Sequence, residues 1–177
     1  MKQENYTAIL IQASDYREYD KLVRLFTAEG SVVRAVMKGV KRPSAKLKFG
    51  AQPFALCEYG VVSKNGYNTV ISCSPIEDLF ALTSDYGRYE CASIMCEAAE
   101  AAAGEGAYPS LFVFLLRSLK ELLYGKTEPQ AVTKSFLEEL MFADGYTPET
   151  PLAGGLKNAV RLFEESYSHR LKSAGRI

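Results

Sequence analysis

Lys21-Leu22-Val23-Arg24-Leu25-Phe26-Thr27, Ala28-Glu29-Gly30-Ser31, Val32-Val33-Arg34-Ala35-Val36-Met37-Lys38 is the stretch that decides how the first half of this chain reads. Two apolar-rich runs flank a short connection that contains glycine, the pattern of a β-hairpin. With Glu29 near the tip, Arg24 falls opposite Arg34. Strand side chains alternate, so both share a face with Lys38. Like charges directly opposed destabilise the pair, and an anion between them relieves that cost. A slip of one residue turns the whole set to the other face, so the register itself is an expectation to be tested.

The segments on either side extend the strand pattern. Residues 6–13 are rich in β-formers and apolar residues, which suits a strand covered on both faces. Residues 39–48, polar and containing Pro43, read as a connector. Residues 54–62 and 67–73 resume the strand pattern around Asn65-Gly66, and Asn-Gly is a strong hairpin signal. Five strands within so short a span predict a small Greek-key barrel of the OB-fold kind over residues 1–76.

After Pro75 the period changes. Residues 79–103 carry Leu79, Leu82, Tyr86, Tyr89, Ser93 and Cys96 near helical spacing and end at Gly104-Glu105-Gly106. Residues 110–124 have a centre, Leu111 to Leu116, that is apolar on every side and predicts a centrally buried helix. Residues 130–144 form a third helix, stopped by Gly145. Leu156, Val160, Phe163, Tyr167 and Leu171 mark a last one beyond the connector with Pro148, Pro151 and Gly154-Gly155. The expectation is an α+β chain: an OB-fold β-barrel over 1–76, then an all-α domain over 77–177.

The 177 residues carry 21 basic and 21 acidic side chains, but the balance is uneven along the chain. Arg34, Lys38, Lys41, Arg42, Lys46 and Lys48 lie between Ser31 and Gly50 with no acid among them. From Glu77 to Glu149 acids outnumber bases thirteen to five, and Arg161, Arg170, Lys172 and Arg176 make the end basic again. Such segregation speaks to partners rather than fold. The N-terminus has no signal-peptide pattern and no window is apolar enough for a membrane helix, so the expected setting is cytoplasmic, with no membrane partner. Cys57, Cys73, Cys91 and Cys96 form no CxxC pair, and His169 is the only histidine. Free thiols are therefore expected, with no metal and no cofactor.

Three stretches in order carry a resemblance: Asp15 to Thr27 (Asp-Tyr-Arg-Glu-Tyr-Asp-Lys-Leu-Val-Arg-Leu-Phe-Thr), Val36-Met37-Lys38-Gly39-Val40-Lys41-Arg42-Pro43, and Gln52-Pro53-Phe54. Together they resemble the N-terminal domain of the bacterial recombination protein RecO. Leu140 to Pro148 is similar to that family's helix end before its zinc segment, and Tyr167 to Ser173 to its final helix. Members commonly carry a four-cysteine zinc module at this point. Here Glu149 to Gly155 stands in its place, so the resemblance is to a shortened form without zinc.

The resemblance implies a non-catalytic protein of DNA repair and recombination in the bacterial cytoplasm and nucleoid. RecO-like proteins bind single- and double-stranded DNA, anneal complementary strands and help exchange SSB for RecA, usually with RecR. Phosphate neutralisation needs cations spread along an edge, and Arg24, Arg34, Lys38, Lys41, Arg42, Lys46 and Lys48 provide one. Tyr16, Tyr19, Phe49 and Tyr67 fall at loop or strand ends where bases stack, without singling out one of them. In relatives the helical region receives the acidic, apolar-ended SSB tail, which needs an apolar slot rimmed by cations. Arg88, Phe112, Arg117 and Lys120 are the candidates. The alternative function is an adaptor that binds SSB or a recombination partner and holds DNA weakly.

No catalytic set is expected. His169 reads as a solvated histidine, and the adjacent pairs Glu138-Glu139 and Glu164-Glu165 as solvated helix faces. The glycines at 39, 104 and 106 lack the setting of a nucleotide loop.

Overall fold

The computed structural model describes residues 2–104, 106–146 and 154–175. Strands β1 (Lys2–Tyr16), β2 (Asp20–Thr27), β3 (Val32–Met37), β4 (Leu56–Lys64) and β5 (Tyr67–Glu77) form a closed barrel in the order β1-β2-β3-β5-β4. This is the five-stranded OB-fold that the strand pattern predicts. β1 is long enough to pair twice, with β4 from Lys2 to Ile9 and with β2 from Ala8 to Tyr16. An irregularity between Leu10 and Gln12 bends it from one partner to the other. The barrel closes through one parallel bridge, Val36 to Thr69, between β3 and β5.

The register within the deciding stretch is the expected one. Arg24 pairs with Arg34, while Val23, Leu25, Ala35 and Met37 point into the core. Asn65 and Gly66 both take positive φ, 51° and 79°, so the β4–β5 turn has the twist that suits a hairpin. β4 starts at Leu56, two residues later than its apolar run suggests, because Phe54 has φ 63° and turns the chain there. Tyr59 is wholly buried among these residues, and its hydroxyl donates to the Gly50 carbonyl at 2.8 Å. Gly30 closes the β2–β3 hairpin at φ +74°. A Cβ there would lie 1.9 Å from the Tyr108 carbonyl oxygen, and the Tyr108 N–H donates to the Gly30 carbonyl at 3.2 Å.

The helices are α1 (Tyr86–Ala103), α2 (Pro109–Tyr124), α3 (Pro129–Ala143) and α4 (Leu156–Tyr167). Asp85 caps α1 by accepting the Arg88 N–H, and α3 packs against both α1 and α4. Two expectations for this half are corrected. The inner face of α1 is Cys91, Ala92, Ile94, Met95, Cys96, Ala98 and Ala99, whereas Tyr86 and Tyr89 are exposed. Small alanines let helices approach closely, so the tyrosines, with polar tips, take the wet side. α2 is not buried all round either: Leu115 is fully covered but Val113 is 64% exposed.

Met1–Phe80 with Glu105–Phe112 form one compact unit; Ala81–Gly104 with Val113–Ile177 form the other. Residues 105–112, expected with the helices, thus group with the barrel, where Phe112 stacks on Phe26 at 6.4 Å between centroids. The connector around Pro148 and Pro151, and most of Glu149 to Gly155, lie outside the described residues.

Candidate nucleic-acid interface

The basic edge is built by the β2–β3 hairpin and the loop after it. On the outer side of the hairpin Arg34 is exposed and Arg24 half-buried beside it, two cations held face to face by the strand register. Lys38, one residue past β3, keeps the outward phase. Lys41, Arg42, Lys46 and Lys48 follow, all exposed.

These cations differ in how far they are engaged. Lys41 donates to Asp15 Oδ2 at 2.8 Å, so its charge is already answered from the far end of β1. The Lys41 ammonium in turn holds the Asp15 carboxyl below the usual carboxylate range. Lys48 Nζ donates to the Pro43 carbonyl at 2.6 Å, which braces the loop while leaving the ammonium exposed.

Lys38 and Arg42 line a shallow cleft of about 460 Å³ together with Arg17, Glu18, Tyr19, Asp20 and Gly39. The Arg42 guanidinium carbon stands 5.0 Å from the Tyr19 ring centroid, a cation–π arrangement. Arg17 stacks likewise on Tyr16 at 5.1 Å and sits in the left-handed region at φ 54°. Two hydrogen bonds fix the cleft walls: Gly39 N–H to Asp20 Oδ1 at 2.7 Å, and Lys41 N–H to the Tyr19 carbonyl at 3.0 Å. Among the basic residues expected at the interface Arg17 was missing, and nothing had distinguished Tyr19 from the other aromatics. The signal was present in the register. Extending the Arg24–Arg34 pairing past Lys21–Met37 brings residues 19 and 20 beside 38 and 39.

Of the residues expected to receive a peptide partner, Phe112 falls in the barrel unit and Arg88, Arg117 and Lys120 in the helical unit. Phe112 is only 6% exposed. Arg117 lies over the Phe114 ring at 5.4 Å and 3.6 Å from Glu139. Arg88 stands in the first turn of α1, where its N–H meets Asp85, and Lys120 follows Arg117 on α2.

The adjacent glutamates are engaged rather than merely solvated. Glu138 lies 3.3 Å from Lys134, Glu165 accepts from Arg161 at 2.7 Å, and Glu164 accepts the Leu171 N–H at 2.8 Å. Glu97 accepts the N–H groups of Lys172 and Ser173 and lies 3.7 Å from His169 Nε2, so it anchors the chain after α4. All four cysteines are free. Cys57 donates to the Cys73 sulfur on the neighbouring strand, which holds the Cys73 thiol below its usual range and pushes Cys57 above it. Among the described residues no three potential ligands gather as a metal site, and no helix is long and apolar enough to cross a membrane.

The closed five-stranded OB barrel is a class of fold whose members bind oligonucleotides or oligosaccharides. Residues 1–79 match the family model described as "Recombination protein O N terminal". The DNA repair protein RecO of Desulfitobacterium hafniense is 32% identical over 142 residues, covering 80% of this chain and 51% of the relative. That of Heliobacterium modesticaldum is 29% identical over 145 residues, 82% of this chain and 52% of the relative. The RecO of a Nocardioides species is 28% identical over 144 residues, covering 80% and 59%. Residues 1–79 are thus similar to the N-terminal domain of the RecO family, and the similarity to RecO proteins extends over 80% of the chain. It spans about half the length of the curated relatives it matches.

Proposed function

We propose that this protein is a non-catalytic DNA-binding protein of recombinational repair, with its DNA edge on the barrel rim. The observation that carries this reading is the pairing of Arg24 with Arg34, continued by Lys38 and Arg42 along one side of the barrel. Two arginines opposed in register on one face bring like charges together, and a phosphate that reaches both is attracted to each. Lys46 and Lys48 extend the charge along the loop for neighbouring phosphates. The relatives are DNA repair proteins, which supports the same reading. On this reading the rim binds single- and double-stranded DNA, and bringing two strands to one cationic edge promotes annealing. Exchange of SSB for RecA, with RecR as a further partner, and capture of the SSB tail at Arg88, Arg117 and Lys120 are the finer parts of the proposal.

Fluorescence anisotropy with labelled single-stranded DNA at rising salt tests it. Binding that weakens steeply with salt, joined to annealing without nucleotide or metal, supports the proposal. Undetectable DNA binding beside clear binding of an SSB-tail peptide leaves an adaptor instead.

A further inference from the structure

We infer that the cleft between the β1–β2 turn and the loop after β3 takes an unpaired nucleobase, stacked on the Tyr19 ring, with a flanking phosphate on Lys38 and Arg17. This deepens the DNA-binding reading above and rests on it.

Three observations support a base rather than a simple polyanion. The charges at the cleft nearly cancel: Arg17, Lys38 and Arg42 face Glu18 and Asp20, and the Asp20 carboxylate is held by the Gly39 N–H at 2.7 Å. The cleft therefore suits the phosphates that flank one base, not a run of them. At the centre stands an aromatic ring that is 40% exposed although it sits in a built recess. Water gains nothing from an exposed ring, whereas every nucleobase has a face that stacks on one. Arg42, placed over the same ring at 5.0 Å, adds a planar guanidinium that stacks on a base equally well.

The recess is also preformed. The Tyr19 carbonyl accepts the Lys41 N–H at 3.0 Å, and Arg42 N–H closes a turn on the Gly39 carbonyl at 3.1 Å, so both walls are tied before any ligand arrives. Duplex bases are stacked and paired and reach such a ring only by leaving the helix. The cleft therefore gives the rim a preference for single strands, while Arg24 and Arg34 serve both forms alike.

The test uses the full chain and fluorescence anisotropy with an oligothymidylate of about 16 nucleotides, a strand of the same length carrying abasic sites, and a duplex of that length. Tyr19→Ala lowers the ratio of single-strand to duplex affinity at least about fivefold, and Tyr19→Phe, which keeps the ring, restores it. The abasic strand binds the wild type as weakly as oligothymidylate binds Tyr19→Ala; this comparison stands even if the alanine variant folds poorly. An abasic strand bound as tightly as oligothymidylate overturns the inference alone. So does an unchanged affinity ratio in folded Tyr19→Ala. A wild type that binds no DNA at low salt overturns both this inference and the reading beneath it.

Discussion

Replacing Lys38 and Arg42 together by glutamine removes two charges from the rim while keeping much of each stem. Both side chains are exposed, and the contact known to be lost is the guanidinium over the Tyr19 ring, worth about 0.5–1 kcal/mol at an exposed site. The fold should therefore persist. Each phosphate neutralised on a single strand contributes a slope of about −0.7 to the dependence of log affinity on log salt, so two lost contacts flatten it by about 1.4. At 0.1 M salt that slope amounts to about 25-fold in affinity, or about 1.9 kcal/mol; at 0.2 M it shrinks to about tenfold. The assay is a salt titration by anisotropy of wild type and variant on one labelled strand. Parallel lines, with the variant merely displaced, would mean that the lost affinity came from shape or stacking. Superimposed lines would remove Lys38 and Arg42 from the interface altogether.

Three other outcomes follow from particular contacts. Asp15→Asn releases Lys41 from its carboxylate, so single-strand binding should strengthen and its salt slope steepen by about 0.7; an unchanged slope shows that Lys41 has no phosphate within reach. Gly30→Ala forces a left-handed residue that costs about 1–2 kcal/mol on its own, and drives its Cβ into the Tyr108 backbone, which cannot swing aside. Urea unfolding should show a loss of at least about 2 kcal/mol, and a smaller loss means that 105–112 moves away without penalty. Cys57→Ala deletes the donor that holds the Cys73 thiol below its usual range, so the pH midpoint for alkylation of Cys73 should rise. Below the raised midpoint the variant's Cys73 alkylates more slowly than the wild type's, and equal midpoints would show that the Gly50 N–H alone sets it.

What the sequence disclosed depended on how local the deciding interaction was. The β2–β3 hairpin and the Asn65-Gly66 turn are fixed by neighbours in the chain, and they formed with the register read from alternation and turn chemistry. The neutralisation of Lys41 was illegible because Asp15 lies 26 residues upstream, at a distance set by the length of β1. The α1 stripe failed for a different reason. Spacing treats Tyr86 and Cys96 as equivalent apolar positions, but the packed face was chosen by size, and alanines allowed the closest approach. At the interface, alternation found the charges while the Tyr19 recess needed the hairpin register to be carried past its last paired residues.

The single bridge from Val36 to Thr69 makes the barrel a ring with one weak link. β1 holds β2 on one side and β4 on the other through long ladders, so thermal breathing starts where β3 meets β5. Opening that seam costs one backbone pairing and the bond from Asn68 Nδ2 to the Arg34 carbonyl, and leaves one open sheet in the order β3-β2-β1-β4-β5. Amide protons beside Val36 and Thr69 should therefore exchange with solvent through small local fluctuations, while those of the β1–β2 and β1–β4 ladders wait for the whole barrel to unfold. Arg34 and Lys38 flank Val36 on β3 and just beyond its end, so the rim's cations ride on the most yielding edge of an otherwise tightly laced cylinder.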